Sequence, residues 1–141
     1  MNQISAIRKF ASIVAGEPVI IPRQRDCWSM CVADSKPRLI LPPDPNVKDE
    51  EDKEFRKFFI SLYPPARGFA DVTISILHEI GHHFHREEYI FCDFDEYERA
   101  QGVDHFKLHC EMVATEWAIE WLKDSQNRRV AKAFEKEYFG Y

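Results

Sequence analysis

His78 and His82 stand four residues apart in the run His78-Glu79-Ile80-Gly81-His82, which reads H-E-x-x-H. On a helix, residues at that spacing sit one above the other, so both imidazoles can reach a single metal ion. Glu79 lies about 100° round the helix from His78. From there it can stand beside the metal and take a proton from a water molecule. The chemistry this pattern suits is zinc-dependent hydrolysis with Glu79 handling the proton. The motif is short, so it needs a helix to carry it, a third ligand and a surface for substrate.

The helix is legible around it. Residues 69–85 read FADVTISILHEIGHHFH, without proline and with Gly81 as the one glycine. Thr73, Leu77, Ile80 and Phe84 recur at helical spacing and are expected to face a core. Ile74, His78, His82 and His85 form the neighbouring stripe. Gly81 costs about 1 kcal/mol against alanine inside a helix. Its place among the ligands suggests close approach by another backbone or by substrate. A longer metzincin pattern would need a glycine at position 85 and a histidine at position 88. The chain has His85 and Glu88 there, so His83 and His85 are read as polar residues near the helix end.

A catalytic zinc usually takes three protein ligands and keeps one position for water. His105, His109, Glu111, Glu116 and Glu120 are the downstream candidates. Residues 104–123, DHFKLHCEMVATEWAIEWLK, read as a second long helix. Leu108, Glu111, Ala114, Thr115, Ala118 and Leu122 share one stripe of it, apolar except for one carboxylate and one hydroxyl. His105, His109, Glu116 and Glu120 share a mostly polar stripe. A lone inward carboxylate needs a partner, because burying it unpaired is very unfavourable. A metal is such a partner, which favours Glu111; pairing of Glu111 with an Arg or Lys, and ligation by His105 or His109, is the alternative. Ala114 and Ala118 are small enough to let this helix lie close to the first.

The two segments together, His78-Glu79-Ile80-Gly81-His82 and Glu111-Met112-Val113-Ala114-Thr115-Glu116-Trp117-Ala118, resemble the ImmA/IrrE metallopeptidases. Their pattern is H-E-L-G-H and, downstream, E-x-x-A-N-x-F-A. The resemblance covers residues 69–122 well and the N-terminal part in outline. It implies a zincin-like (minimal gluzincin) core, zinc ligands at His78, His82 and Glu111, and a catalytic carboxylate at Glu79. It also implies cleavage or inactivation of a repressor protein. Ile80, Thr115 and Trp117 depart from the family's Leu, Asn and Phe. Thr115 keeps a hydroxyl near the site but cannot support it as an amide would.

Composition sets the outer limits. The chain has 141 residues, which fits one domain spanning 1–141. Eleven Phe, five Tyr and three Trp give apolar area enough for a core. No apolar run approaches the roughly 20 residues of a membrane span. Arg8 and Lys9 interrupt the apolar residues of an amphipathic N-terminus, unlike a signal peptide, so a cytoplasmic protein is expected. A net charge of −5 argues against direct nucleic-acid binding. Cys27, Cys31, Cys92 and Cys110 match no zinc ribbon or redox motif and are expected as core or surface thiols.

The elements that must position the site follow from periodicity. Residues 3–15 read as a helix with Ile4, Ile7, Phe10, Ala11 and Val14 on one side, ended by Gly16. Val19–Ile21, Cys27–Val32 and Arg38–Leu41 read as three short strands. Lys48–Leu62 reads as a short helix broken by Tyr63-Pro64-Pro65. Residues 87–103 are acidic and aromatic and suit a loop over the site. A last helix is expected near Gln126–Tyr138. The expected fold is therefore α+β, a small three-stranded sheet packed on helices. Cys27–Val32 or Arg38–Leu41 would offer an edge to an extended peptide. The function expected is zinc-dependent hydrolysis of a protein or peptide, with Tyr89, Tyr97, His105 and His109 as candidate donors to the oxyanion. The alternative is a metal-stabilised protein-binding module without proteolytic activity.

Overall fold

The computed structural model describes residues 2–22, 28–31, 37–87 and 105–141, and of residues 30, 31 and 105 the backbone alone. Helix α1 (Gln3–Ala15) starts at Asn2, whose side chain accepts the Ser5 N–H, and stops at Gly16 with φ 76°. That left-handed cap is open to glycine at little steric cost. Ile7, Phe10, Ala11 and Val14 are buried as expected, joined by Ala6 and Ala15. Helix α2 (Glu50–Leu62) begins with a reciprocal capping box between Asp49 and Asp52. It ends before Pro64 and Pro65, which open a 3₁₀ turn over Pro64–Gly68.

The three-stranded sheet expected from sequence does not form, and the fold is not α+β in that sense. Five α-helices dominate the described residues. Strand β1 (Ser29–Cys31) pairs antiparallel with β2 (Arg38–Ile40), Met30 opposite Leu39. Val19–Ile21 contributes a single parallel bridge, Ile20 to Arg38. Proline explains the shortness: Pro18 and Pro22 bracket that segment, Pro37 and Pro42 bracket β2, and none of them offers an N–H to a ladder. The ends of the expected Cys27–Val32 strand, Cys27 and Val32, lie outside the described residues. Because β2 is bonded to Ile20 on one side and to β1 on the other, Arg38–Leu41 is not an edge. β1 is the outer strand among the described residues, and it packs on the motif helix.

That helix, α3 (Asp71–Phe84), is buried on nearly every side, from Val72 through His83 except Ser75. A helix wrapped in this way lies inside the molecule rather than on its surface. Thr73, Leu77 and Ile80 are fully buried as expected, but Phe84 is 44% exposed and stacks on Trp117. Here α3 outruns the core: the His85 N–H returns to the Gly81 carbonyl and the helix ends. Helix α4 (His109–Lys123) starts later than sequence suggested, after a 3₁₀ turn at His105–Lys107 and an extended Leu108. Helix α5 (Ser125–Phe139) begins at Asp124, whose side chain accepts two N–H groups. α3 packs chiefly on α4, and α1 on α5 and α3. Phe10 stacks on Phe134 at 4.5 Å and meets Trp121 edge-on at 5.9 Å, closing the core.

Candidate metal centre

The helical repeat does to α3 what its spacing demands. His78 and His82 project from the same side, ring centroids 4.7 Å apart and planes crossed at 84°. The late start of α4 places Glu111 in its first turn, where a carboxylate is favoured by the helix dipole. One oxygen of Glu111, Oε2, lies 2.7 Å from His78 Nε2 and 2.9 Å from His82 Nε2. All three side chains are buried. Two ring nitrogens and one carboxylate oxygen therefore converge where a shared cation would bind them. Glu79 joins the cluster from α3: its carboxylate and the two rings offer ligand atoms within 4.8 Å of one another.

Both acids can meet a cation, but their geometry differs. Glu111 bridges the two rings directly through a single oxygen. Glu79 follows His78 on the same helix and approaches from beside the pair. The donor set is two imidazoles and a carboxylate, the set that holds zinc in hydrolytic sites, and the residues fit that ion. The back of His78 is held as well. Thr115 Oγ1 lies 3.1 Å from its Nδ1, and Thr115 is fully buried. Phe55 of α2 meets the His78 ring edge-on at 4.8 Å, and Phe106 packs against Phe58 at 4.9 Å.

Electrostatics mark the same point. Burial alone would push the Glu111 carboxyl up, but the hydrogen bonds and charges of His78 and His82 hold it far below the usual carboxylate range. Burial pulls His82 down, yet the hydrogen bond its ring donates to Glu111 and the charges of Glu79 and Glu111 leave it raised. The cluster thus favours an ionised carboxylate at Glu111 and a protonated ring at His82.

The remaining sequence candidates fall elsewhere. His109, Glu116 and Glu120 are exposed, and His85 caps α3 in solvent. The side chain of His105, together with Tyr89, Tyr97 and the segment 88–103, lies outside the described residues. His83 is buried rather than polar surface: among the described residues its Nδ1 has no hydrogen-bond partner, and Nε2 lies 3.9 Å from Glu17. Burial lowers its pKa, opposed by Glu17 and aided by Arg86. Sequence reasoning missed Phe55 as a neighbour of His78, although Phe55, Phe58 and Phe59 recur at helical spacing. It also missed Glu135, a buried acid of α5 that accepts from the Ala70 N–H and the Thr73 hydroxyl, both at 2.6 Å. No family model, no curated protein and no solved structure matches this chain.

Proposed function

We propose that this chain is a zinc-dependent peptidase, as its likeness to the ImmA/IrrE motifs implies, acting on a specific protein such as a repressor. The observation that carries the reading is the convergence of His78 Nε2, His82 Nε2 and Glu111 Oε2 in a buried site, with Glu79 beside them. In this reading His78, His82 and Glu111 hold Zn²⁺. The ion supplies Lewis acidity, which lowers the pKa of a water and polarises a carbonyl. Glu79 accepts the proton of the attacking water and returns it to the leaving amine. Thr115 orients His78 from behind. β1, beside α3 and bonded along one side only among the described residues, offers main-chain groups to an extended peptide. The substrate is a protein rather than nucleic acid or lipid. No described helix is long and apolar enough to cross a membrane, and we place the activity in the cytoplasm.

Two measurements test this. Purified wild type is expected to hold one equivalent of zinc. Glu79→Gln is expected to keep that zinc and lose hydrolysis by about 10²–10⁴-fold. Comparing cell extracts incubated with the two proteins reveals the substrate. Turnover that survives in Glu79→Gln removes Glu79 as the base. Zinc held tightly, with no protein cleaved by wild type, points instead to a metal-stabilised binding module.

A further inference from the structure

Helices α3 and α4 meet backbone to backbone inside the ligand set itself. Gly81 lies between His78 and His82; Ala114 lies between Glu111 and Thr115. A Cβ built on Gly81 would stand 2.6 Å from the Ala114 carbonyl oxygen, 3.0 Å from its Cα and 3.2 Å from its carbonyl carbon. These are backbone atoms, so they cannot swing aside as a side chain can. Any side chain at position 81 must therefore displace α4. The conformation of Gly81 is not the reason for glycine here, since among the described residues the positive-φ glycines are Gly16 and Gly140. Space is the reason. Alanine would favour the helix by about 1 kcal/mol, so glycine runs against local propensity at this point.

What the close approach achieves is visible in the ligands. Glu111 reaches both rings with one oxygen, at 2.7 and 2.9 Å, from within a buried and close-packed seam. Glu111 and Thr115 ride on the same rigid helix as Ala114. A shift of α4 by a few tenths of an ångström or more carries the carboxylate and the hydroxyl away from His78 together.

We propose that Gly81 is a positioning residue: its missing side chain sets the α3–α4 separation at which Glu111 closes the metal site over His78 and His82. This rests on the zinc reading of the same site. A residue that merely packs would, when changed, alter stability alone. Gly81 is expected to alter metal affinity out of proportion to stability.

The test compares Gly81→Ala with Phe134→Leu, a packing change at the α1–α5 seam. Zinc affinity is measured by competition with a chromogenic chelator, cobalt(II) absorption reports coordination geometry, and thermal unfolding of the metal-free proteins reports stability. Gly81→Ala is expected to lose about tenfold or more in zinc affinity and to change the cobalt spectrum. Phe134→Leu is expected to lower the melting temperature and leave both metal readouts unchanged. Wild-type affinity and spectrum in Gly81→Ala would overturn the proposal while leaving the zinc reading intact. Should Gly81→Ala fail to fold, Glu111→Asp takes its place, shortening the reach from the other side. About tenfold weaker zinc binding there is expected if the helix spacing leaves no slack; unchanged binding overturns the proposal. Wild type that binds no zinc overturns the zinc reading itself and this inference with it.

Discussion

Glu111 shows how a single buried acid ties the site to pH. Its folded pKa is depressed, so it contributes stability above its unfolded value, about 4.3, and that contribution is lost as pH falls from there. His82 is the opposite case. Its folded pKa is raised, so its contribution is fully present below about 6.5 and is lost as pH rises through the raised value. These two groups together favour the metal-free protein most between about pH 4.3 and 6.5; His83, whose pKa burial lowers, works against folding below about 6.5, and above that value the loss of the His82 contribution is expected to weaken the fold. Zinc requires unprotonated imidazoles, so its stabilising effect grows over the same rise in pH. Urea unfolding with and without chelator, from pH 5 to pH 8, measures both trends. A metal-free stability that stays flat or climbs from pH 6 to pH 8 contradicts the pairing of His82 with Glu111.

At the scale of elements, α3 must be held at its start if its histidines are to stay aligned with α4. Ala70 brings no side-chain cap of its own. The neighbouring helices supply one: Glu135 of α5 accepts from the Ala70 N–H and from Thr73. Asp71 pairs with Arg56 of α2 at 2.9 Å and with Lys48, and Arg56 also donates to the Phe69 carbonyl. Glu135→Ala strips the cap from two donors at once. Each orphaned donor costs about 1–3 kcal/mol, so a loss of about 2 kcal/mol or more is expected in urea unfolding. Zinc content should stay at one equivalent, because no ligand is touched. A loss under about 0.5 kcal/mol would mean that water satisfies these groups equally well.

For the whole molecule, a bound ion would join two helices whose ligands lie 29 and 33 residues apart in sequence. Zinc at a hundredfold above its dissociation constant adds about 2.7 kcal/mol to the folded state. For a chain of this length that corresponds to a rise of roughly 5–10 °C in melting temperature, reversed by chelator. A melting curve indifferent to zinc and to chelator argues against any metal at this crossing.

The local parts of this architecture were legible in the chain. The ends of α1, the break after α2 and the alignment of His78 with His82 all depend on residues within a turn or two of each other: Asn2 and Gly16, Pro64 and Pro65, and the 3.6-residue repeat. So did the inward turn of Glu111, betrayed by its apolar neighbours Ala114 and Ala118. Misreadings came where distant segments decide. Val19–Ile21 has strand composition, but it meets its distant partner at Arg38 through a single bridge where a third strand was expected. Phe84 keeps the helical phase of the core, yet it stands at the end of α3, stacked on Trp117 and half open to solvent. His83 reads as a polar residue near the helix end, because sequence periodicity cannot show that α3 is wrapped on nearly all sides.

The sequence by itself determined that two imidazoles and a carboxylate would share one stretch of helix, because that follows from the pitch of a single helix. Which acid meets both rings was decided by tertiary structure. It depends on where α4 crosses α3, and that crossing is set by the absence of a side chain at Gly81 against the Ala114 backbone, a contact between residues 33 positions apart that no local rule encodes.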